Sequence, residues 1–255
     1  MLKDDSLPRA VILTAIPVEF KAVRAHINDR FEEEHSKGNV YEIGTFYGEK
    51  NNWNVLVAEV GAGNAMCCLE TERAIDYFNP TVVIFVGIAG GVKDVTYGDV
   101  VVAEKAYGYE IGKVVKGGIL TRPDLGSSTY GILQRAKAIA RNEDWKSRII
   151  DNDFSINNPN AITKAIAAGE KVIATTRSPI YSLIKKHYND TAAVEMEGYG
   201  FYKAIASNEG VQGLIVRGIS DMLDNKEETD QKGYQALASK NASAFAFEVL
   251  SKLRI

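Results

Sequence analysis

Three stretches of this chain place apolar residues one after another without alternation: Ala10–Thr14 (AVILT), Thr81–Val86 (TVVIFV) and Leu214–Val216 (LIV). A strand with one wet face alternates in polarity, whereas an unbroken β-branched run suits a strand covered on both faces. Each run ends in a polar or glycine-rich break. Pro17, acceptable at a first helical position, opens a helix over Val18–Ile27 with Phe20, Val23 and Ile27 on one side. Asn39–Phe46 and Asn52–Glu59 predict two strands joined across Gly48–Asn51. The loop Val60-Gly61-Ala62-Gly63-Asn64-Ala65 leads into a helix ending near Phe78. Val100–Ala103 reads as a strand, Tyr130–Ala140 as a helix and Ala161–Ala167 as a short apolar element. Gly169–Ala174 reads as a turn and strand. Ser178-Pro179 starts a helix through His187, and Gln231–Leu253 forms a long amphipathic one. Residues 104–130 and the polar segment 141–160, with its DNDFSINNPN loop, carry no consistent period. Strands alternating with helices, with no repeat or linker, predict a single three-layer αβα domain over residues 1–255.

Charge and composition exclude several functions. Thirty basic and 33 acidic residues give a net charge of −3, with no block of five like charges, which argues against nucleic acid or an anionic membrane as partner. No window holds 18 uninterrupted apolar residues, and acids with Pro8 ahead of the first apolar run do not make a signal peptide. The two cysteines, Cys67 and Cys68, are adjacent in a predicted helix, so no structural disulfide is expected and a reducing cytoplasm fits. His26, His35 and His187 lack metal-ligand spacing. We expect neither metal nor cofactor.

The chemistry concentrates where apolar runs end in acids. Ala192-Ala193-Val194 delivers Glu195 and Glu197 around Met196, and Leu214–Val216 delivers Arg217, Ser220 and Asp221. Buried carboxylates are expensive to desolvate, and alternation along a strand sends Glu195 and Glu197 to opposite faces, one toward a ligand and one behind it. A solvated acidic loop fits the same residues. Two such ends, however, suggest one cleft above the carboxyl ends of an open α/β sheet. Glu19 falls in the first turn of a helix above a strand end, where the helix dipole alone would favour an acid. The glycines of Gly87-Ile88-Ala89-Gly90-Gly91 admit close approach of backbone to ligand. The Val60–Ala65 loop suits either a phosphate or ribose cradle or a tight packing turn.

In this order and spacing, AIPVEF (15–20), VGIAGG (86–91), GDVVVAE (98–104), AVEMEG (193–198) and VRGISD (216–221) resemble the nucleoside phosphorylase/nucleosidase superfamily. Within it they are most similar to the methylthioadenosine/S-adenosylhomocysteine nucleosidase branch, from about Ala10 to Leu250. The resemblance implies a twisted, partly closed mixed sheet flanked by helices, a homodimer or higher homo-oligomer, and a purine nucleoside or nucleotide as small-molecule substrate. It also implies roles. Asp221 hydrogen-bonds or protonates the departing purine, Glu197 holds the ribose hydroxyls with Met196 against the sugar, and Glu19 activates water. Ser220 and Arg217 orient the acid and its loop, Val172 and Ile173 line the base, and Glu195, Ile88, Ala89 and Gly90 complete the pocket.

Two positions depart from the pattern. Ile88 stands where nucleosidases carry a serine that phosphorylases use for phosphate, which counts against phosphorolysis. Val172 stands where an aromatic ring stacks on adenine. Arg122, Lys171 and Arg177 are cations that either reach a 5′ phosphate or remain solvated surface charge. The expected activity is hydrolysis of an adenine nucleoside or nucleotide. Phosphorolysis and a catalytically silent nucleotide-sensing module are the alternatives.

Overall fold

The unbroken apolar runs become neighbours. In the computed structural model, which describes residues 2, 4–151, 158–224 and 233–254, β1 (Arg9–Thr14), β4 (Asn52–Glu59), β5 (Val82–Gly91) and β12 (Gln212–Asp221) run parallel in one sheet. β3 (Val40–Tyr47) and β2 (Asn28–Glu34) continue it antiparallel beyond β4. Beyond β12 come β6 (Val100–Gly108), β10 (Ala161–Ala168) and β11 (Thr191–Glu195), with β9 (Leu125–Ser127) attached to β6. β11 then turns back onto β5, setting Ala193 opposite Gly91 and Val194 opposite Gly90. The pairing closes β5, β12, β6, β10 and β11 into a ring, so the sheet is mixed and partly closed, as expected. β7 (Gly112–Val115) and β8 (Gly118–Thr121) form a separate hairpin.

Helices cover both faces because both faces are apolar. In β1, Ala10 and Ile12 join one core cluster while Val11 and Leu13 join the other. The first cluster is completed by α1 (Pro17–Arg24), α3 (Tyr130–Ala140) and α6 (Tyr234–Lys252), the second by α2 (Asn64–Phe78) and α5 (Gly198–Ser207). α4 (Pro179–His187) packs over a smaller third cluster, and its N-cap hydroxyl, Ser178 Oγ, accepts the Tyr181 N–H at 3.0 Å. No helix among the described residues is long and apolar enough to cross a membrane.

Several expectations need correction. α1 stops at Arg24, and β2 follows it as an edge strand whose sequence, NDRFEEE, shows no alternation because only Phe31 is partly covered, against the second cluster. β6 continues to Gly108, and residues 104–130 hold the end of β6, the hairpin and β9. Residues 169–174 are not a strand. Val172 is 62 % exposed, and the Glu170 N–H donates to the Glu110 carboxylate rather than to a ladder. α6 is not amphipathic, since every residue from Ala238 to Ser251 except Lys240 is buried. Most of the DNDFSINNPN loop (152–157) and Gln231 lie outside the described residues.

α6 and β12 touch backbone to backbone. A Cβ at Gly218 would overlap the carbonyl of Ala238, and a helix backbone does not yield as a side chain does. Gly218→Ala should therefore destabilise the fold by about 1–3 kcal/mol through overpacking. Urea denaturation monitored by tryptophan fluorescence checks this, and an unchanged midpoint refutes it.

Candidate active site

Because β1, β4, β5 and β12 are parallel, their carboxyl ends open on the same edge of the sheet, where crossover loops leave a crevice. A cavity of about 210 Å³ lies there. Its lining contains Glu19, Ile88, Ala89, Gly90, Val172, Ile173, Glu195, Met196, Glu197, Ser220 and Asp221, eleven of the twelve expected site residues. The twelfth, Arg217, is fully buried beneath the lining. Acids from three distant stretches thus meet at one site.

Arg217 is the electrostatic centre. Its Nη2 donates to Glu195 Oε2 at 2.6 Å and to Glu197 Oε2 at 3.1 Å, and the guanidinium lies over the Phe85 ring, 4.2 Å from its centroid. Burial alone would disfavour its charge, but Glu195, Glu197 and Glu19 more than restore it, and its pKa is raised. Gly87 makes this possible, because a Cβ there would overlap Arg217 Nη1 and approach Glu19 Oε1 to 2.7 Å. The sequence marked Gly87 only as part of a glycine run; its specific task is to leave room for the guanidinium.

The two glutamates do not diverge to opposite faces as strand alternation predicted. β11 ends at Glu195, Glu197 occupies the N-cap position of α5, and both reach Arg217 Nη2. Glu195 also accepts the Glu197 N–H (3.0 Å) and the Gly198 N–H (2.9 and 3.0 Å), which fixes the turn. Glu197 has less company. Oε1 accepts the Gly63 N–H at 3.1 Å and Oε2 accepts Arg217, leaving each oxygen a free lone pair. Burial, opposed by Arg217 and reinforced by Glu195, pushes the Glu197 carboxyl up to about 7.

Glu19 is held by backbone. Oε2 accepts the Ala15 and Ile16 N–H groups at 2.7 and 3.1 Å, and Oε1 accepts only the Ile88 N–H at 2.8 Å. Through the bond to Ile16, Glu19 at N3 of α1 satisfies the backbone of an N-cap residue that has no side-chain acceptor of its own. Burial raises its pKa, against Arg217 and these donors. Asp221 is oriented by Ser220 Oγ, 3.0 Å from Oδ2, and by the Leu223 N–H, 3.1 Å from Oδ1. Of the cations suggested for a 5′ phosphate, only Lys171 lines the cavity, and it pairs with Glu110; Arg122 and Arg177 are exposed and outside the lining.

The raised Glu197 pKa carries a stability consequence. Its folded value of about 7 lies above the ordinary 4.5, so the folded state retains the proton longer, and stability is lost as pH rises from about 4.5 to 7. His26, lowered from 6.5 to about 4 by burial, contributes the opposite slope in any variant that keeps it. Glu197→Gln should therefore remove that downward contribution, a difference of up to about 1.4 kcal/mol per pH unit. Urea denaturation of both proteins from pH 5 to 7 measures it, and parallel slopes would refute it.

The chain is similar to several known proteins. The sequence profile of the Phosphorylase superfamily matches residues 9–251. The chain is 28 % identical to ATP nucleosidase Cap17 of Escherichia coli (strain KTE188) over 95 % of its own length, but spans about half (51 %) of that relative. It is 26 % identical to a 5′-methylthioadenosine/S-adenosylhomocysteine nucleosidase of an Exiguobacterium species, covering 95 % of this chain and 97 % of that one. Among solved structures, the nucleosidase of Neisseria meningitidis in complex with methylthio-immucillin-A superimposes with a TM-score of 0.78 at 19 % identity, covering 97 % of this chain and all of that one. That of Colwellia psychrerythraea in complex with adenine gives 0.79 at 22 % identity, over 97 % and 96 %. With a matching profile over nearly its whole length and the corresponding fold, the chain belongs to the phosphorylase superfamily.

Proposed function

We propose that the protein is a purine nucleosidase that hydrolyses the N-glycosidic bond of an adenine nucleoside or nucleotide, releasing free base. The observation that carries this is the convergence of Glu19, Glu197 and Asp221 on one cavity, each with a different set of hydrogen bonds. Nucleosidases among the relatives support the reading.

The lone-pair inventory supports a division of roles. Glu197 keeps one acceptor site on each oxygen, enough for the two hydroxyls of a ribose diol. Glu195, with its oxygens engaged by backbone and Arg217, positions that turn. Met196 lines the cavity beside it and packs on the sugar. Glu19 Oε2 is occupied by two N–H groups, whereas Oε1 has one and remains free to accept a proton from water. Bond cleavage builds positive charge on the sugar and negative charge on the base. Asp221, fixed by Ser220, hydrogen-bonds or protonates the purine; Glu19 takes the proton of the water that attacks the anomeric carbon; and the base departs with the bonding electrons. Val172 and Ile173 line the base side. Ile88 offers only its backbone N–H, which Glu19 already uses, so phosphate finds no hydroxyl donor there.

Lys171 is the only cationic side chain among the described lining residues, and Glu110 neutralises it. This favours an uncharged 5′ group, with the nucleotide as second reading on the likeness to ATP nucleosidase Cap17. Exposed Met66 and Leu69 on α2 support a homodimer or larger assembly, and two free cysteines support a cytoplasmic setting.

Incubation with methylthioadenosine, S-adenosylhomocysteine, AMP and ATP without phosphate should release adenine from at least one of them. Asp221→Asn and Glu19→Gln should each lower kcat by ~10²–10⁴. Absence of base from all four, or wild-type rates in Asp221→Asn, refutes the assignment. Strict dependence on phosphate would establish phosphorolysis instead.

A further inference from the structure

The segment 169–178 forms the cavity wall through Lys171, Val172 and Ile173 without joining any strand or helix until α4 begins at Pro179. Side chains fasten it instead. At one end Glu170 Oε1 accepts both the backbone N–H and the side-chain amide of Asn64, at 3.1 and 3.0 Å. Asn64 is the first residue of α2, a helix with no cap of its own. Its N-cap residue is Gly63, and no acid occupies its first turn. Glu170 therefore supplies, from a distant part of the chain, the carboxylate that a helix N-terminus favours.

This fastening point adjoins the machinery. Asn64 Oδ1 accepts the Gly200 N–H of α5 at 2.9 Å, and the preceding Gly63 N–H donates to Glu197 at 3.1 Å. At the other end the Thr176 N–H donates to Asp224 at 2.7 Å, and the Thr176 hydroxyl donates to the same carboxylate. Asp224 lies three residues beyond Asp221. Between the ends, Glu110 accepts the Glu170 N–H at 2.8 Å and pairs with Lys171. The wall over the base is thus tied on one side to the turn that anchors the ribose acid, and on the other to the turn after the base acid.

These ties lie at the surface, where water competes for both partners. Apart from the Gly169 N–H on the Glu195 carbonyl and Ile173, which is buried in the small cluster beside Tyr109 and Leu223, the wall is held by such ties. A segment with so few apolar anchors opens at lower cost than a strand, as one admitting substrate and releasing product must. We propose that Glu170 and Asp224 are positioning residues that latch residues 170–176 over the purine and, when they let go, open the way for the free base. The proposal rests on the purine nucleosidase reading. Neither residue touches the reacting atoms, so their loss should weaken binding of the base more than it slows the chemistry.

Two measurements on Glu170→Ala and Asp224→Ala test this. Hydrogen exchange in the ligand-free protein needs no substrate: amides in 170–176 should exchange roughly 10-fold faster than in wild type, the loss of about 1.4 kcal/mol of local protection, while those of β11 stay unchanged. In turnover, KM and the inhibition constant of adenine should rise by a similar factor, with kcat changing less. Glu170→Gln, which keeps an acceptor oxygen, should recover part of the loss. Wild-type exchange in both alanine variants overturns the latch whatever the enzyme cleaves, and so does a parallel fall in kcat and thermal midpoint with KM unchanged. A wild-type protein that releases no base, with exchange behaving as expected, refutes the nucleosidase reading alone.

Discussion

A buried guanidinium sets the conditions under which everything else at the site exists. Arg217 has no solvent exposure, and its charge is sustained by Glu195 and Glu197 in direct contact and by Glu19 nearby. Removing one partner of such a group leaves the others uncompensated, at a cost of about 3–5 kcal/mol. Much of the local sequence follows from this. Gly87 lacks a side chain so that the guanidinium fits, Phe85 presents its ring face to it, and the turn after β11 wraps Glu195 around its own backbone. With three glutamates and one arginine, the cluster remains short of positive charge. Burial raises the pKa values of both Glu19 and Glu197, and at Glu197 the neighbouring Glu195 and Glu19 add to it.

The sheet places these groups without any of them being adjacent in sequence. Parallel β1, β5 and β12 end on one edge, so Glu19 beyond β1, the glycines at the end of β5 and Asp221 at the end of β12 face a common space. β11 brings Glu195 and Glu197 to it from another direction by pairing with β5. Differences in hydrogen bonding then distinguish otherwise similar carboxyl groups. Backbone holds Glu19, an arginine and a backbone N–H hold Glu197, and a neighbouring serine and a backbone N–H hold Asp221.

What could be read from the sequence was what burial writes into it. AVILT, TVVIFV and LIV are unbroken because their strands are covered twice, and they appear as β1, β5 and part of β12. The acids at strand ends stood out for the same reason, as charges abutting apolar runs. β2 was illegible because an edge strand that buries only part of one side chain, Phe31, has no pattern to betray it. Lys171–Ala174 resembled a strand because a cavity wall is apolar too, although its backbone bonds elsewhere. The convergence of Glu195 and Glu197 was hidden by the break in strand geometry after Glu195, and Glu170 by the 106 residues that separate it from Asn64.

The return of β11 onto β5 has a mechanical consequence. In an open sheet, the strand bearing the acids could rock about a free edge and widen the cavity. Here Val194 is laddered to Gly90 on one flank and to Ala167 on the other, so the floor behaves as a hoop whose circumference is set by backbone bonds. A hoop resists spreading, and the spacing between Glu197 and Asp221 is thereby fixed before any ligand arrives.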